Sequence, residues 1–412
     1  MRTVRWPALI AGVVLSFPLL TTAEPIAPAA GPTLPALVEL AWQRSVAART
    51  LDARQDEASA GRAVAQSWLA GPPTLGLSER SGRWAGDRAQ HETELSVAAP
   101  VLLPGQQFAR QQLAARNTDE VRAQLHHARL EVAGAVRTRL WEAAAARELL
   151  AEKEGHLHHL QDLRDEVRRR VAAGDMARSD GLLADQEVLA AQGDIAQAKG
   201  RLGAAMARFQ LLTGVAELPS LEPEPTPPAP PAPSAPSEHA RLRAAEASEQ
   251  RARAAVGLAS ASVRGTPTVA LSMRRERDSA TTDADRSIGI AVHIPLGGKM
   301  RNRPAETLAA TQLATAAAEL SEARAAIAIE QSQARSQLDY AREALQTATA
   351  RAGLMREHTA LFEKAFKQGE RGLAELLRSR TLSHEAEVAV RQQRVALGMA
   401  HAQLNQVLGI LP

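Results

Sequence analysis

The sequence predicts a mainly α-helical chain with a small β part, built from two tandem copies of one unit. Each unit is expected to contain a helix, two strands, a very long helix and a returning helix. Three observations predict this fold class. Sequence blocks recur at a fixed distance, two stretches of more than 60 residues contain no proline, and four short segments alternate apolar and polar residues.

The repeat is clearest around two glycines, Gly174 and Gly369, which lie 195 residues apart (369 − 174 = 195). Each glycine is followed six residues later by an acid, Asp180 or Glu375. Pro100 and Pro295 lie at the same shift, as do Leu212-Thr213-Gly214 and Val407-Leu408-Gly409, while Pro73-Thr74-Leu75 matches Pro267-Thr268-Val269 one residue short of it. A period this long indicates a duplicated domain-sized unit rather than a solenoid of short repeats.

The first element of the first unit is a helix expected from about Pro35 to Leu69, which ends before Gly71-Pro72-Pro73 because proline cannot continue it. Two strands are expected in each unit. In the last strand, Ile288, Ile290, Val292 and Ile294 alternate with small or polar residues, which is typical of a sheet with one apolar face. The expected strands are about residues 74–79, 93–101, 268–273 and 287–296.

Two very long helices are expected from Gly105 to Ala172 and from Ala305 to Phe366, each about 90–100 Å in length. In the second, apolar residues recur every seven positions, which predicts coiled-coil packing. This heptad series is Leu313, Leu320, Ile327, Ala334, Ala341, Ala348, Met355 and Phe362. A partner series, interrupted by Arg324 and Gln331, is Ala310, Ala317, Leu338, Leu345 and Ala352. The returning helix of the first unit is expected from Asp180 to Gly214.

The remaining segments are a targeting sequence and a connector. Residues 1–23 combine Arg2 and Arg5 with an apolar run and small residues before Glu24, which predicts a secretory signal peptide. Nine prolines lie between Pro219 and Pro236, so residues 217–237 are expected to form an extended connector. The first structural repeat is therefore assigned to residues 24–216 and the second to residues 238–412.

Composition excludes several classes of protein. The chain has no cysteine, so disulfides and thiolate metal sites are excluded. Its formal net charge is only +3, which gives no support for nucleic-acid binding. None of the common hydrolase, phosphate-loop or zinc-protease motifs is present, so we expect no enzyme activity, no catalytic residues, no metal and no cofactor.

Strands combined with long helices predict a channel. Segments of about nine residues are long enough to cross a bilayer at a tilt. Four strands cannot close a barrel, and open sheet edges are not tolerated in lipid, so several chains would have to pool their strands. The long helices carry charges on all sides and are expected to project into water. A pooled barrel continued by a helical cylinder is a tunnel.

These features resemble the TolC-like family of outer-membrane efflux proteins. The resemblance covers nearly all of the chain after the signal peptide. It rests on the hairpin ends Pro100-Val101-Leu102-Leu103-Pro104-Gly105 and Pro295-Leu296-Gly297-Gly298-Lys299, and on the tips that precede Asp180 and Glu375. The Leu-Gly-Gly-Lys segment after Pro295 is also reminiscent of the cobalt-zinc-cadmium resistance branch.

The resemblance implies a homotrimer whose twelve-stranded barrel lies in the outer membrane of a Gram-negative bacterium, with a coiled-coil tunnel in the periplasm. The implied partners are a periplasmic membrane-fusion adaptor and an inner-membrane pump of the resistance-nodulation-division type. The implied function is a passive exit duct of a tripartite efflux system. A duct for type I secretion is an alternative, and a soluble periplasmic coiled-coil scaffold or chaperone is a second alternative of another class.

The resemblance also implies the candidate site residues. Gly174 and Gly369 are expected at the tip turns, where glycine permits the positive φ of a tight helix reversal, and these tips would contact the adaptor. Glu375, with Asp180 at the matching position, is expected to form an acidic ring at the periplasmic entrance that attracts cations. An ordinary acid at a helix start is the alternative for both carboxylates.

The histidines have the spacing of metal ligands without the companions of a metal site. His126 and His127 are adjacent, and His156, His158 and His159 lie within four residues, with the first and last on one helix face. No acid or cysteine completes a site in the sequence. We therefore expect solvated histidines on helix faces.

Overall fold

The computed structural model describes residues 32–81, 91–219, 224–225, 239–277 and 283–412. The expected signal peptide and most of the proline-rich connector lie outside these residues. The chain is mainly helical with one small antiparallel sheet, as the sequence predicts. The described elements, in chain order, are α1 (Leu34–Arg44), α2 (Val46–Ala65), β1 (Thr74–Ser81), β2 (His91–Pro100), α3 (Pro104–Ala173), α4 (Arg178–Thr213), α5 (Ala240–Ala261), β3 (Thr268–Arg277), β4 (Asp285–His293), α6 (Lys299–Lys367) and α7 (Leu373–Val407).

The element bounds recur at the shift of 195 residues. Adding 195 to the first residues of α2, α3 and α4 gives 241, 299 and 373, and α5, α6 and α7 begin at Ala240, Lys299 and Leu373. The same shift would place a second copy of α1 at residues 229–239. Of that segment, only His239 lies within the described residues.

The entering helix of the first unit is broken, which the sequence interpretation missed. α1 ends at Arg44 and α2 begins at Val46, because Ser45 adopts an extended conformation with ψ of 144°. The Ser45 hydroxyl donates to the Trp42 carbonyl at 2.8 Å and accepts from the Ala48 amide at 3.1 Å. These two bonds cap both helix ends, as serine commonly does at a helix start.

The two long helices, α3 and α6, contain 70 and 69 residues, so each is about 105 Å long. α6 begins at Lys299, before the expected start, and includes Pro304. Pro304 is the sixth residue of the helix, so it cannot donate an N–H to the Met300 carbonyl, and a proline inside a helix also crowds the carbonyl four residues earlier. α3 packs against α4 and α6 packs against α7, while α5 lies between α3 and α6.

Burial along α6 corrects one part of the expected coiled-coil seam. Ala309, Ala316 and Ala323 are buried, whereas Ala310 and Ala317 are exposed. The seam therefore lies one residue earlier in the first half of the helix. Ala323 is buried in place of the expected Arg324, whereas Glu330 and Gln331 are both half-buried. Further along, the buried members of both expected series are Leu320, Ile327, Ala334, Leu338, Ala348 and Ala352.

The four strands form one sheet in the order β1-β2-β3-β4, with every neighbouring pair antiparallel. β1 and β3 extend to Ser81 and Arg277, beyond the expected ends. β4 stops at His293 instead of continuing to Leu296, because Pro295 has no N–H to donate to a neighbouring strand. In the part of the chain that the structure describes, no helix is both long enough and apolar enough to cross a membrane.

Candidate functional site

One face of the sheet is apolar and exposed in every strand. Cross-strand register places Leu75, Val97, Leu271 and Ile290 in one row and Leu77, Leu95, Met273 and Ile288 in the next. These side chains retain between 46% and 78% of their exposure in the single chain. Ile294 and Leu296 continue the alternation of apolar residues along the chain beyond β4, and they are 64% and 97% exposed. At the rise of an extended chain, the eight residue steps of this apolar band from Ile288 to Leu296 correspond to about 27 Å, and the last three steps lie beyond the end of β4 at His293.

The opposite face is polar, and near the hairpin ends it carries paired charges. Glu92 lies between two arginines, at 3.5 Å from Arg80 and 3.1 Å from Arg274. Arg274 also contacts Glu276 at 2.9 Å. These ion pairs cross three strands, and their positive and negative charges offset one another. Nearer the helices, the same face carries glycine, serine and alanine.

The sheet has two free edges. β1 pairs only with β2, and β4 pairs only with β3, among the residues that the structure describes. The outer N–H and C=O groups of both edge strands are therefore available for pairing with another chain.

The two predicted tip glycines occupy equivalent helix reversals. Gly174 has φ of 85° and Gly369 has φ of 80°, in the left-handed region that favours glycine. The Asp175 amide donates to the Arg170 carbonyl at 2.9 Å, and the Glu370 amide donates to the Ala365 carbonyl at the same distance. This hydrogen-bond pattern ends a helix within one turn and allows the next helix to return beside it.

The two candidate acids differ in their surroundings. Both lie in the first turn of a returning helix, Asp180 on α4 and Glu375 on α7. Glu375 is half exposed and forms an ion pair with Arg371 at 3.3 Å. Arg371 also lies over the Phe362 ring at 5.4 Å. The arginine therefore offsets part of the Glu375 charge, a partner that the sequence interpretation did not consider.

The two tips are joined by an apolar cluster. Leu163 and Val167 of α3 are buried, and Phe366 and Leu377 of the second unit pack against them. The Arg170 guanidinium lies 4.6 Å from the centre of the Phe366 ring. The ends of the two helical hairpins thus form one packed unit within the chain.

The expectation of solvated histidines is wrong for His127, whose Nδ1 is buried, and for His156. The His156 ring stacks on His384 of α7, with centroids 4.2 Å apart and an interplanar angle of 16°. His158 is largely solvated, as expected. The stacked pair borders a cavity of about 270 Å³ that also contacts Thr359, Glu363 and Arg380. A histidine 228 residues distant in sequence could not be paired with His156 from spacing alone (384 − 156 = 228).

Burial controls the protonation of this cluster. Desolvation, together with the neighbouring His156 and Lys153, lowers the pKa of His384 to about 4. Desolvation is also the main cause that lowers the pKa of His156. Desolvation raises the pKa of Glu152, whose Oε1 lies 3.7 Å from His384 Nε2. Within the described residues, no group of three or more histidines and acids has the geometry to hold a metal ion.

A buried ion pair fixes the connector between the units. Arg137 of α3 is 3% exposed, and its guanidinium contacts both carboxylate oxygens of Glu224 at 2.8–3.1 Å. Gln406 accepts from Arg137 at 2.7 Å, and Asn405 donates to Glu224 at 3.1 Å. Because Asn405 and Gln406 belong to α7, this Arg137–Glu224 clamp ties the connector to both units.

Comparison with solved structures identifies this architecture. The outer membrane channel CmeC of Campylobacter jejuni superposes with a TM-score of 0.75 and 13% identity, over 91% of this chain and 85% of that one. The outer membrane protein VceC of Vibrio cholerae gives 0.74 and 15% identity, over 91% and 96%. The open state of the outer membrane channel MtrE of Neisseria gonorrhoeae gives 0.72 and 17% identity, over 92% and 90%.

The chain has the TolC-like fold. The resemblance is thereby confirmed for the fold of the single chain, a mainly helical structure with a small antiparallel sheet. No protein-family model matches the sequence, and no curated protein matches it either. The likeness therefore lies in the arrangement of the helices and strands over nearly the whole chain, at low sequence identity.

Proposed function

We propose that the protein is a passive exit duct in the outer membrane of a Gram-negative bacterium. The observation that carries this proposal is the sheet, which has one exposed apolar face and two free edges and is joined to helices about 105 Å long. A soluble scaffold has no use for an apolar face across four strands. No described residue favours that alternative or the type I secretion duct.

Closure of the sheet requires other copies of the chain. In lipid, every unpaired backbone group at the edges of β1 and β4 would cost several kcal/mol. Three copies would supply twelve strands and leave no edge, which makes a homotrimer the proposed assembly. At a tilt of about 40°, an apolar band of about 27 Å has a height of about 20 Å, somewhat below the height of about 25 Å in known outer-membrane barrels.

The helices would then form the wall of a periplasmic tunnel. Their tips, which reverse at Gly174 and Gly369, are the proposed contact with a membrane-fusion adaptor. An inner-membrane pump of the resistance-nodulation-division type would supply the energy, because this chain is proposed to have no catalytic role and no cofactor. Residues 1–23 are proposed to direct secretion and to be absent from the mature protein.

Glu375 and Asp180 are the proposed acidic ring at the tunnel entrance. Three carboxylates close together would attract cations. The Arg371 ion pair offsets part of this charge. We expect Glu375→Gln to lower the cation selectivity of single channels and Arg371→Gln to raise it. If both variants retain the selectivity of the unaltered protein, Glu375 is an acid at a helix start and does not line the entrance.

Fractionation and conductance together test the duct. We expect the protein in the outer-membrane fraction, extractable only with detergent and running as a trimer. Purified trimers should form long-lived conducting channels in a planar bilayer. Recovery in the soluble periplasmic fraction, or a stable detergent-solubilised monomer, would contradict the proposal.

A further inference from the structure

We propose that the lipid-facing side of the sheet carries a binding site for the phosphate groups of lipid headgroups, formed by Arg275, Arg277 and Arg286. This site, called here the outer arginine cluster, rests on the proposed membrane position of the sheet. It lies on the face of the sheet that would contact lipid, and Arg286 belongs to the edge strand β4.

Register fixes the position of the outer arginine cluster. On the apolar face, Met273 and Ile288 are cross-strand partners, and the next row on the same face is Arg275 opposite Arg286. This row lies toward the hairpin ends, away from Pro100 and the start of α3. The cluster therefore occupies the boundary of the apolar band on the side away from the helices.

The guanidinium charges in the cluster lie close enough in the register to repel one another. Arg275 and Arg286 are directly opposite, and Arg277 follows two residues along the same face, with His91 opposite it. Arg275 and Arg286 are exposed. Like charges directly opposite in a sheet are destabilising. An anion between the two guanidinium groups would remove that repulsion.

On the opposite face of the sheet, the arginines have carboxylate partners within the chain. Arg80 and Arg274 contact Glu92, at 3.5 Å and 3.1 Å. Among the described residues, no carboxylate forms an ion pair with any member of the outer arginine cluster. The nearest acid of the same row is Glu79 on β1, which the register places two strands away from Arg275.

The chemistry of the cluster fits a phosphate attached to a lipid. A guanidinium group binds phosphate oxygens through two parallel hydrogen bonds, and two adjacent guanidinium groups can hold one phosphate between them. A lipid whose acyl chains lie along Met273 and Ile288 would carry its phosphate at the height of Arg275 and Arg286. A carboxylate ligand from solution would gain nothing from the adjoining apolar band.

Lipid binding to the purified, detergent-solubilised trimer tests the site. The probe is a bisphosphorylated glucosamine lipid (lipid A), compared with the same lipid after removal of both phosphates, with binding followed by native mass spectrometry. We expect Arg275→Gln combined with Arg286→Gln to weaken binding of the phosphorylated lipid about tenfold or more. Binding of the dephosphorylated lipid should not change.

The matched control is Arg335→Gln combined with Arg351→Gln, which removes two exposed charges from α6, outside the sheet. This control should bind the phosphorylated lipid as tightly as the unaltered protein does. Equal weakening in both double variants would overturn the site, because the effect would then reflect net charge alone. Displacement of the lipid by low-millimolar inorganic phosphate would overturn the assignment to a lipid headgroup.

Trimer formation and conductance, measured on the same samples, separate this inference from the proposed function. Conducting trimers whose lipid binding is unaffected by the cluster variant would overturn the site and leave the duct in place. Failure of the unaltered protein to form membrane-inserted trimers would overturn both. Loss of the trimer in the cluster variant, with lipid binding to the remaining chain unchanged, would assign these arginines to contacts between copies.

Discussion

A charge on the apolar face of the sheet should prevent membrane assembly, and Val292→Arg is the sharpest form of this test. Val292 is four residues from both Ile288 and Leu296, so it lies at the middle of the apolar band, and it is 57% exposed in the single chain. An arginine near the bilayer midplane of a barrel costs about 2–4 kcal/mol. A trimer would contain three such sites and lose about 6–12 kcal/mol, which is comparable to the whole stability of many domains.

The matched control is Ala291→Arg, one residue earlier on the same strand and on the polar face, opposite Ala270. Both variants should be expressed and compared by the yield of detergent-stable trimer in the outer-membrane fraction. We expect Val292→Arg to lose most of the trimer and Ala291→Arg to retain it. If the two variants assemble equally well, or if only Ala291→Arg fails, the assignment of the two faces is wrong.

Three further predictions concern the helical part. A Cβ at Gly398 would lie 2.0 Å from the buried Trp141 ring, so Gly398→Ala should lower the free energy of unfolding by about 1–3 kcal/mol. The control is Gly203→Ala, whose Cβ meets no atom within 4 Å and which should raise the free energy of unfolding by up to about 1 kcal/mol. Denaturant titrations measure both changes. Gly369→Ala should cost about 1–2 kcal/mol because φ is 80° there, and it should speed hydrogen exchange at the tip without changing expression. His384 has a folded pKa of about 4, while the unfolded histidine binds its proton near 6.5. The unfolded state therefore binds more protons between these values, and stability should fall as pH falls through this window. His384→Phe should reduce that pH dependence of the melting temperature, and an unchanged dependence would show that other groups cause it.

The sequence was sufficient to predict the long helices and the strands because both have simple periodic signals. α3 and α6 follow from the absence of proline, and the strands follow from alternation that register then matches across the sheet. The glycines at the tips could also be placed, since glycine readily adopts the positive φ that a helix reversal requires.

Other features could not be read from sequence because they depend on contacts between distant segments. Ser45 breaks the entering helix through bonds to Trp42 and Ala48, and a serine in the middle of an apolar pattern does not reveal which bonds its hydroxyl will make. The stack of His156 on His384 joins the two units, and the Arg137–Glu224 clamp joins the first unit to the connector. The spacing of residues along one helix holds no information about such partners.

The Arg137–Glu224 clamp has a mechanical consequence. Arg137 lies 37 residues before Gly174 along one continuous helix, a distance of about 55 Å. A rod of this length that tilts by about 5° about the clamp moves its far end by about 5 Å, roughly one helical pitch. Because α7 contacts the same clamp through Asn405 and Gln406, its tip shares the same fulcrum. A tilt of α3 about the clamp that is too small to disturb the packing at the middle of the helices would therefore move the tips by several ångströms.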